Sequence, residues 1–331
     1  MKFLLSFVFF IVLSFFIWVV IIFGETGKPS KGSQWIYDTY VKKEKLAKSI
    51  KKRKIIIVAG SNALFGVNSK MISKAFHIPV INYGVNAGIE LPLTLELAKR
   101  VINRGDIVIS PLEYPMYSYK GDAGVQMCDY LLSREPSLFW HLTLYEEFYI
   151  LWHVSIKRIW DGYFHRSKKH ISSGLYGPHH IDNNGDQIKS SAAFRKDWMY
   201  NEVVNNYAIH PEKYGAKFDK DALGWKYLQN FMKWCKKRDV KVIFMPSTLL
   251  RNKKYFNDKR ERWFYTHIAD EVRKRGWEYV GQPYKYMYDK KNYFDTDFHL
   301  IAKARAVRTQ KMIEDLSKSP DAMKYIVTHG D

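Results

Sequence analysis

Cysteine is nearly absent from this chain: Cys128 and Cys235 are the only two in 331 residues. Two cysteines at unrelated spacings exclude a disulfide framework and a cysteine-based zinc site, and they leave the redox compartment open. Acidic residues are also scarce, 33 against 53 Lys+Arg, for a net charge of +20. The basic excess is diffuse. No arginine-rich arm, zinc-finger spacing or RNP-like aromatic motif accompanies it, so nucleic acid is not an expected partner. What remains is an anionic glycan or phospholipid surface, or a lysine-rich solvated surface with no partner behind it. P-loop and dinucleotide fingerprints are missing, and no cofactor is expected. Apolar residues, by contrast, reach 47% and aromatics 16%. That is too apolar for a disordered chain, and the length suits one large α/β domain or two ordinary ones.

Only one long apolar run exists. It extends from Phe3 to Phe23, interrupted by Ser6 and Ser14. As a helix it spans about 30 Å, the thickness of a bilayer core. The run ends Ile-Ile-Phe-Gly-Glu with no Ala-x-Ala-like cleavage site, which predicts an uncleaved signal anchor over 1–24. A signal anchor of this kind exports the body, so an extracytoplasmic body is expected. Opposing this, residues 24–54 carry ten Lys/Arg and three acids, which favours the cytoplasm under the positive-inside rule. Most of those charges lie beyond about 15–20 residues from the anchor, where the rule weakens.

Residues 25–54 read as a basic amphipathic linker helix, and 55–331 as the α/β domain. Lys54-Ile-Ile-Ile-Val-Ala-Gly-Ser61 is a β-branched run closing on a turn, hence a buried strand. A helix over 68–77, a strand at Pro79-Val-Ile-Asn82, a helix over 90–103 and a strand at Ile107-Val-Ile-Ser110 follow. This alternation implies right-handed parallel crossovers. The pattern returns with a helix over 222–238, a strand over 240–245, a helix over 260–275, a short strand at Trp277–Val280 and a helix over 301–317. Between the halves, 118–221 is rich in Trp, Tyr, Phe and His, with turn signals at Ser173-Gly174, Gly177-Pro178 and Asn184-Gly185. It reads as an insertion over the α/β core whose aromatics are expected to be mainly core.

Ligands of open α/β sheets sit at the carboxyl ends of the strands. Three such ends are visible: Gly60-Ser61-Asn62, Asn82 through Gly88, and Glu113-Tyr114. A serine after a glycine at a strand-to-helix turn exposes its hydroxyl near amides able to hold an oxyanion. Taken alone, Ser61 is equally an N-cap. The far end adds Asp295, Asp297 and His299 on one short loop before the last helix. Nucleophilic serine catalysis needs a base within hydrogen-bond reach and a carboxylate to orient it, and either aspartate would serve. His179-His180 with Asp182 and Asp186 could mimic a metal site. The loop Asn183-Asn184-Gly185-Asp186 reads instead as a hairpin turn, and no metal is expected.

These motifs resemble the SGNH (GDSL-type) hydrolase superfamily, and in particular its membrane-anchored members of the alginate O-acetylation and teichoic-acid D-alanine transfer type. Gly60-Ser61-Asn62 is similar to the first block and Asn82 through Gly88 to the second. Asp295 through His299 is similar to the terminal Asp-x-x-His block. The resemblance implies a three-layer α/β/α sandwich with a parallel, flavodoxin-like sheet behind the transmembrane helix. It implies a Ser61–His299–Asp295 triad with Asp297 as the alternative acid, and an oxyanion hole from Ser61 and Gly84 with Asn86 as a further donor. Asn62, Asn82, Glu113 and Tyr114 are the cleft candidates. Two departures stand out. Pro111-Leu-Glu113-Tyr114-Pro115 replaces the third block's Gly-x-Asn, and strict spacing puts Thr296 where the acid belongs. The implied function is O-acyl transfer, an acetyl group in the first instance, to an anionic or neutral envelope glycan through an acyl-Ser61 intermediate. An integral-membrane O-acyltransferase is the implied partner, in the inner membrane of a bacterium. A carbohydrate esterase (deacetylase) with the same triad and a non-catalytic accessory protein are the alternatives.

Overall fold

A computed structural model describes residues 2–28, 30–164 and 174–327. The turn expected at Ser173-Gly174 lies partly outside the described residues. The apolar run forms one helix, α1 (Lys2–Phe23). Among the described residues it is the one helix long and apolar enough to cross a membrane, and nearly all of it is exposed. Next comes α2 (Lys31–Ser49), followed by β1 (Ile55–Ile57), the six-residue α3 (Ser61–Gly66) and α4 (Ser69–Phe76). The Asn68 side chain caps α4 by accepting from Met71 N at 3.1 Å, and His77 ends it with φ 56°. β2 (Val80–Asn82), α5 (Glu90–Lys99), β3 (Ile107–Ser110) and α6 (Tyr114–Tyr117) complete the first half.

The middle of the chain holds α7 (Val125–Arg134), α8 (Leu144–His153), α9 (Ile156–Phe164) and α10 (Asn205–Ile209). Alternation then resumes with α11 (Leu223–Lys236), β4 (Lys241–Phe244), β5 (Leu249–Leu250), α12 (Lys253–Asn257) and α13 (Lys259–Arg273). Last come β6 (Glu278–Tyr279), β7 (Met287–Tyr288), α14 (Ala302–Ser317) and α15 (Pro320–Val327).

Two compact units result: Met1–Tyr37 with Gly121–Ser172, and Asp38–Lys120 with Ser173–Asp331. The first boundary falls inside α2, so the helix expected as a linker is shared between the units. The second divides the segment expected as one insertion.

The larger unit is a mixed α/β structure around a five-stranded parallel sheet, ordered β2-β1-β3-β4-β6. The chain steps from β1 outward to β2, then returns past β1 to β3, which makes a switch point between β1 and β3. Every residue of β1, β2 and β3 is buried, as expected for parallel strands covered on both faces. On one face Ile55, Ile57, Ile107, Ile109 and Ile243 pack with Ala63, Ile72, Met312 and Leu316. The register at the amino end of the sheet is held by a fully buried ion pair, Lys54 Nζ to Asp106 Oδ2 at 2.8 Å. Asp106 also accepts from the Lys54 and Asn103 amides, so its charge is well solvated by the protein. A small second sheet pairs β5 with β7.

In the smaller unit, the expectation that the aromatics are core fails for one stretch. Tyr130 and Phe139 are buried, but Trp140, Phe148, Trp152, Trp160 and Phe164 are exposed. Phe148, Trp152, Trp160 and Phe164 recur at helical spacing on α8 and α9 and stay more than half exposed.

Candidate functional site

β1 delivers Gly60 and Ser61 to the carboxyl edge of the sheet beside the switch point. Gly60 is the N-cap of α3, with no side-chain capping bond, so the Ser61 hydroxyl is not consumed as a cap. Ser61 is half-buried, and its hydroxyl bonds to no described residue. The three strand-end motifs converge on this turn. A Cβ on Gly60 would lie 2.6 Å from Glu113 Oε1 and 2.7 Å from Ala87, and one on Gly84 would lie 2.5 Å from the Gly60 carbonyl. Both positions therefore require glycine.

Glu113 stands at the position where the sequence resemblance expects an asparagine. Its carboxylate accepts from Gly60 N and Asn62 N, each at 2.9 Å, and so grips the amides on either side of Ser61. Beneath it, Asn62 Nδ2 donates to the Pro111 carbonyl at 2.8 Å. The fully buried Arg308 of α14 donates to Asn62 O at 3.0 Å and to Asn62 Oδ1 at 2.9 Å. Desolvation lowers the Arg308 pKa, with Tyr288, Tyr286, Tyr293 and Glu113 opposing it. Sequence reasoning missed Arg308, which carries no local signal in the middle of a helix.

The cleft candidates Asn62, Asn82, Glu113 and Tyr114 are all buried, and their polar atoms bond to neighbouring groups of the α/β unit. Asn82 Nδ2 donates to Ala63 O at 2.7 Å and to Asp186 Oδ1 at 2.9 Å. Tyr114 packs edge-on against Phe264 and Tyr265 and donates to Ser247 O at 3.3 Å. The oxyanion assignment for Gly84 is also altered, since its N–H already donates to Asn82 Oδ1 at 3.1 Å. The buried Lys43 of α2 donates to the Gly84 carbonyl, and burial lowers its pKa to about 7. Asn86 accepts from Gly88 N at 2.7 Å, while its Nδ2 has no described partner.

The terminal loop is closed by an antiparallel bridge between Tyr293 and Leu300, both fully buried. Inside it, Thr296 Oγ1 accepts from Phe298 N and His299 N at 3.2 Å each, so Thr296 makes the turn. That turn sets Asp295 Oδ1 at 2.7 Å from His299 Nδ1. Burial raises the Asp295 pKa, but His299 and the Tyr176 hydroxyl, which donates to Oδ2, outweigh it and hold the group below the ordinary value. Tyr176 was not found from sequence, since it lies 119 residues from Asp295.

Asp297 points elsewhere. It accepts from the Tyr214 hydroxyl at 3.3 Å, and burial pushes its pKa up to about 7. The His299 ring stacks on Phe65, with centroids 4.3 Å apart and planes within 8°. Phe65 follows Ser61 by four residues in α3, one helical turn, and Ser61 Oγ makes no hydrogen bond to His299. Nε2 of His299 bonds to no described residue.

The His179–Asp186 segment is a hairpin joined by an Ile181–Gln187 antiparallel bridge. Asp182 Oδ1 accepts from Asn184 N at 2.8 Å and Asp186 N at 2.9 Å. The Asp186 carboxylate holds Ser69 and Asn82. Burial lowers the His180 pKa, with His179 and Lys189 adding to it. Among the described residues no group of three His, Cys, Asp or Glu is placed to hold a metal ion. Comparison with protein-family models and with curated proteins gives no match.

Proposed function

We propose that this chain is a membrane-anchored, SGNH-like acyltransferase that works through an acyl-Ser61 intermediate. The supporting observation is the orientation of His299. Its Nδ1 lies 2.7 Å from Asp295 Oδ1, the orientation that turns Nε2 away from the carboxylate, and its ring stacks on Phe65, four residues after Ser61 in α3. In the first step His299 Nε2 takes the Ser61 proton as Oγ attacks the acyl carbonyl, and it then passes that proton to the leaving group. In the second, an acceptor hydroxyl loses its proton to Nε2 and attacks the ester carbonyl, and Nε2 returns that proton to the departing Ser61 Oγ. Asp295 holds the tautomer and stabilises the imidazolium.

Ser61 N–H and Asn86 Nδ2 are the free donors for the oxyanion, with Gly84 N–H shared with Asn82. Losing one oxyanion donor costs about 10²–10³ in rate, so an enzyme without the third-block asparagine would be weakened rather than silent. The α/β/α layering, the glycan acceptor, the integral-membrane acyltransferase partner and the extracytoplasmic inner-membrane location belong to the same proposal. The parallel sheet, its switch point and α1 support it. Water as acceptor gives the esterase.

A second reading has a specific observation in its favour. The Glu113 carboxylate lies against the amides flanking Ser61, where negative charge opposes a developing oxyanion, and Gly84 N–H is engaged. A silent accessory protein would keep this arrangement. The full chain in detergent, treated with a fluorophosphonate probe beside Ser61→Ala, decides between them. Labelling of the wild type only supports the enzyme, and no labelling of either supports the accessory role.

A further inference from the structure

In the smaller unit α8 and α9 bury Ile150 and Ile159 on one side and leave a second row of large apolar residues on the other. Glu146 of α8 is fully buried in a capping box with Thr143, and Arg158 of α9 is nearly buried. Arg158 pairs with Glu25 Oε2 at 3.3 Å and with Asp129 Oδ1 at 2.8 Å, and it donates to Lys28 O at 3.1 Å and Ser133 Oγ at 2.9 Å. Meanwhile Leu144, Phe148, Trp152, Ile156, Trp160 and Phe164, four residues apart along the pair, are 54–83% exposed. A helix pair that buries apolar residues and paired charges inside and still presents six large apolar side chains outward is not what water selects.

The position of this face along α1 identifies what covers it. Trp18 Nε1 donates to the Leu151 carbonyl at 2.8 Å, and Phe15 meets Phe148 with ring centroids 5.8 Å apart. Trp18 and Phe15 precede the end of α1 by five and eight residues, about 8 and 12 Å along the axis. Where α1 spans a bilayer, α8 is therefore below the headgroups, at about the depth an interfacial helix reaches. Trp140 stacks on Phe23 at the end of the span, in the place of an interfacial tryptophan. Glu25, just beyond the span, pins α9 through Arg158 at the level where charge is tolerated.

We infer that α8 and α9 form a second membrane-embedded element, lying in one leaflet with their Phe148–Trp152–Trp160–Phe164 face against lipid acyl chains. The inference is independent of the triad chemistry and requires α1 to be retained.

The test uses the full chain in phosphatidylethanolamine/phosphatidylglycerol vesicles, with intact mass first showing that 2–23 is present. A phospholipid with a photoactivatable acyl chain is then activated and the labelled peptides are mapped. The expected result is labelling of 144–164 as well as 2–23, with 144–164 protected from a water-soluble carbene probe. Trp152→Glu with Trp160→Glu should reduce acyl-chain labelling of 144–164 about tenfold and leave that of 2–23 unchanged. Trp152→Phe with Trp160→Phe should restore it. Labelling confined to 2–23, removal of 2–23 from the mature chain, or crosslinking of 144–164 to a protein instead of lipid in native membranes would each overturn the inference.

Discussion

Two aromatic-rich stretches of this chain treat the same residue types in opposite ways. Around α13 and the terminal loop, Phe264, Tyr265, Tyr286 and Tyr293 are fully buried, and Phe264 and Tyr265 meet each other and Tyr114 edge to face. Along α8 and α9, Phe148, Trp152, Trp160 and Phe164 are exposed while a glutamate and an arginine face inward. Aromatic content alone decides neither outcome. What differs is the partner for each polar group. The buried tyrosines are surrounded by strands, loops and carboxylates of the α/β unit, whereas the exposed ring is backed by charges that already have partners.

The largest difference should appear in chemistry. Asp295→Asn disrupts the histidine tautomer and should lower acylation of Ser61 by about 10³–10⁴, measured by burst kinetics in detergent. Trp152→Ser should leave that rate within about twofold. A similar loss from both would mean that the two stretches belong to one machine.

Stability should separate the stretches next. Phe264→Ala removes a fully buried ring and should cost about 3–5 kcal/mol by chemical denaturation in detergent. Trp152→Ala should stay within about 0.5 kcal/mol there, because Trp152 is 63% exposed. A large cost for Trp152→Ala would place it in a protein core and remove the contrast.

The smallest effect concerns the unused acid. Burial raises the Asp297 pKa to about 7, so the folded state holds that proton more tightly than the unfolded chain. Its stabilisation is complete below the ordinary carboxylate range and is lost as pH rises through about 7. Asp297→Asn cannot ionise. Between pH 5 and 8 the wild type should therefore lose on the order of 1–2 kcal/mol more stability than the variant, while acylation by the variant stays near wild type. Equal pH dependence would show that Asp297 is not held protonated.

Most of the sheet was legible in sequence. β1, β2, β3 and β4 are β-branched runs bounded by turns, and α4, α5, α11, α13 and α14 follow apolar periodicity to within a few residues. What escaped has physical causes. The six residues of α3 are too few to show a helical period, and the two-residue β5 and β7 are too short for an alternation. The four-residue spacing from Leu144 to Phe164 reads as a helix face, but a period does not say whether that face meets protein or lipid. At the site, His299, Asp295 and Ser61 stand out because each lies in a local motif. Tyr176 and Arg308 act across 119 and 246 residues of chain, and no local pattern announces such partners. Glu113 falls between: its departure from the expected asparagine marked the position, and only the folded turn shows the carboxylate gripping the amides around Ser61.

The central claim is that Ser61 becomes acylated with His299 as its base. Its most direct test is the intact mass of the full chain after brief exposure to 4-nitrophenyl acetate, beside Ser61→Ala and His299→Ala. An adduct of about 42 Da on Ser61 is expected in the wild type and none in either variant. An unmodified wild type that is folded by circular dichroism, or an adduct that persists in Ser61→Ala, would contradict it.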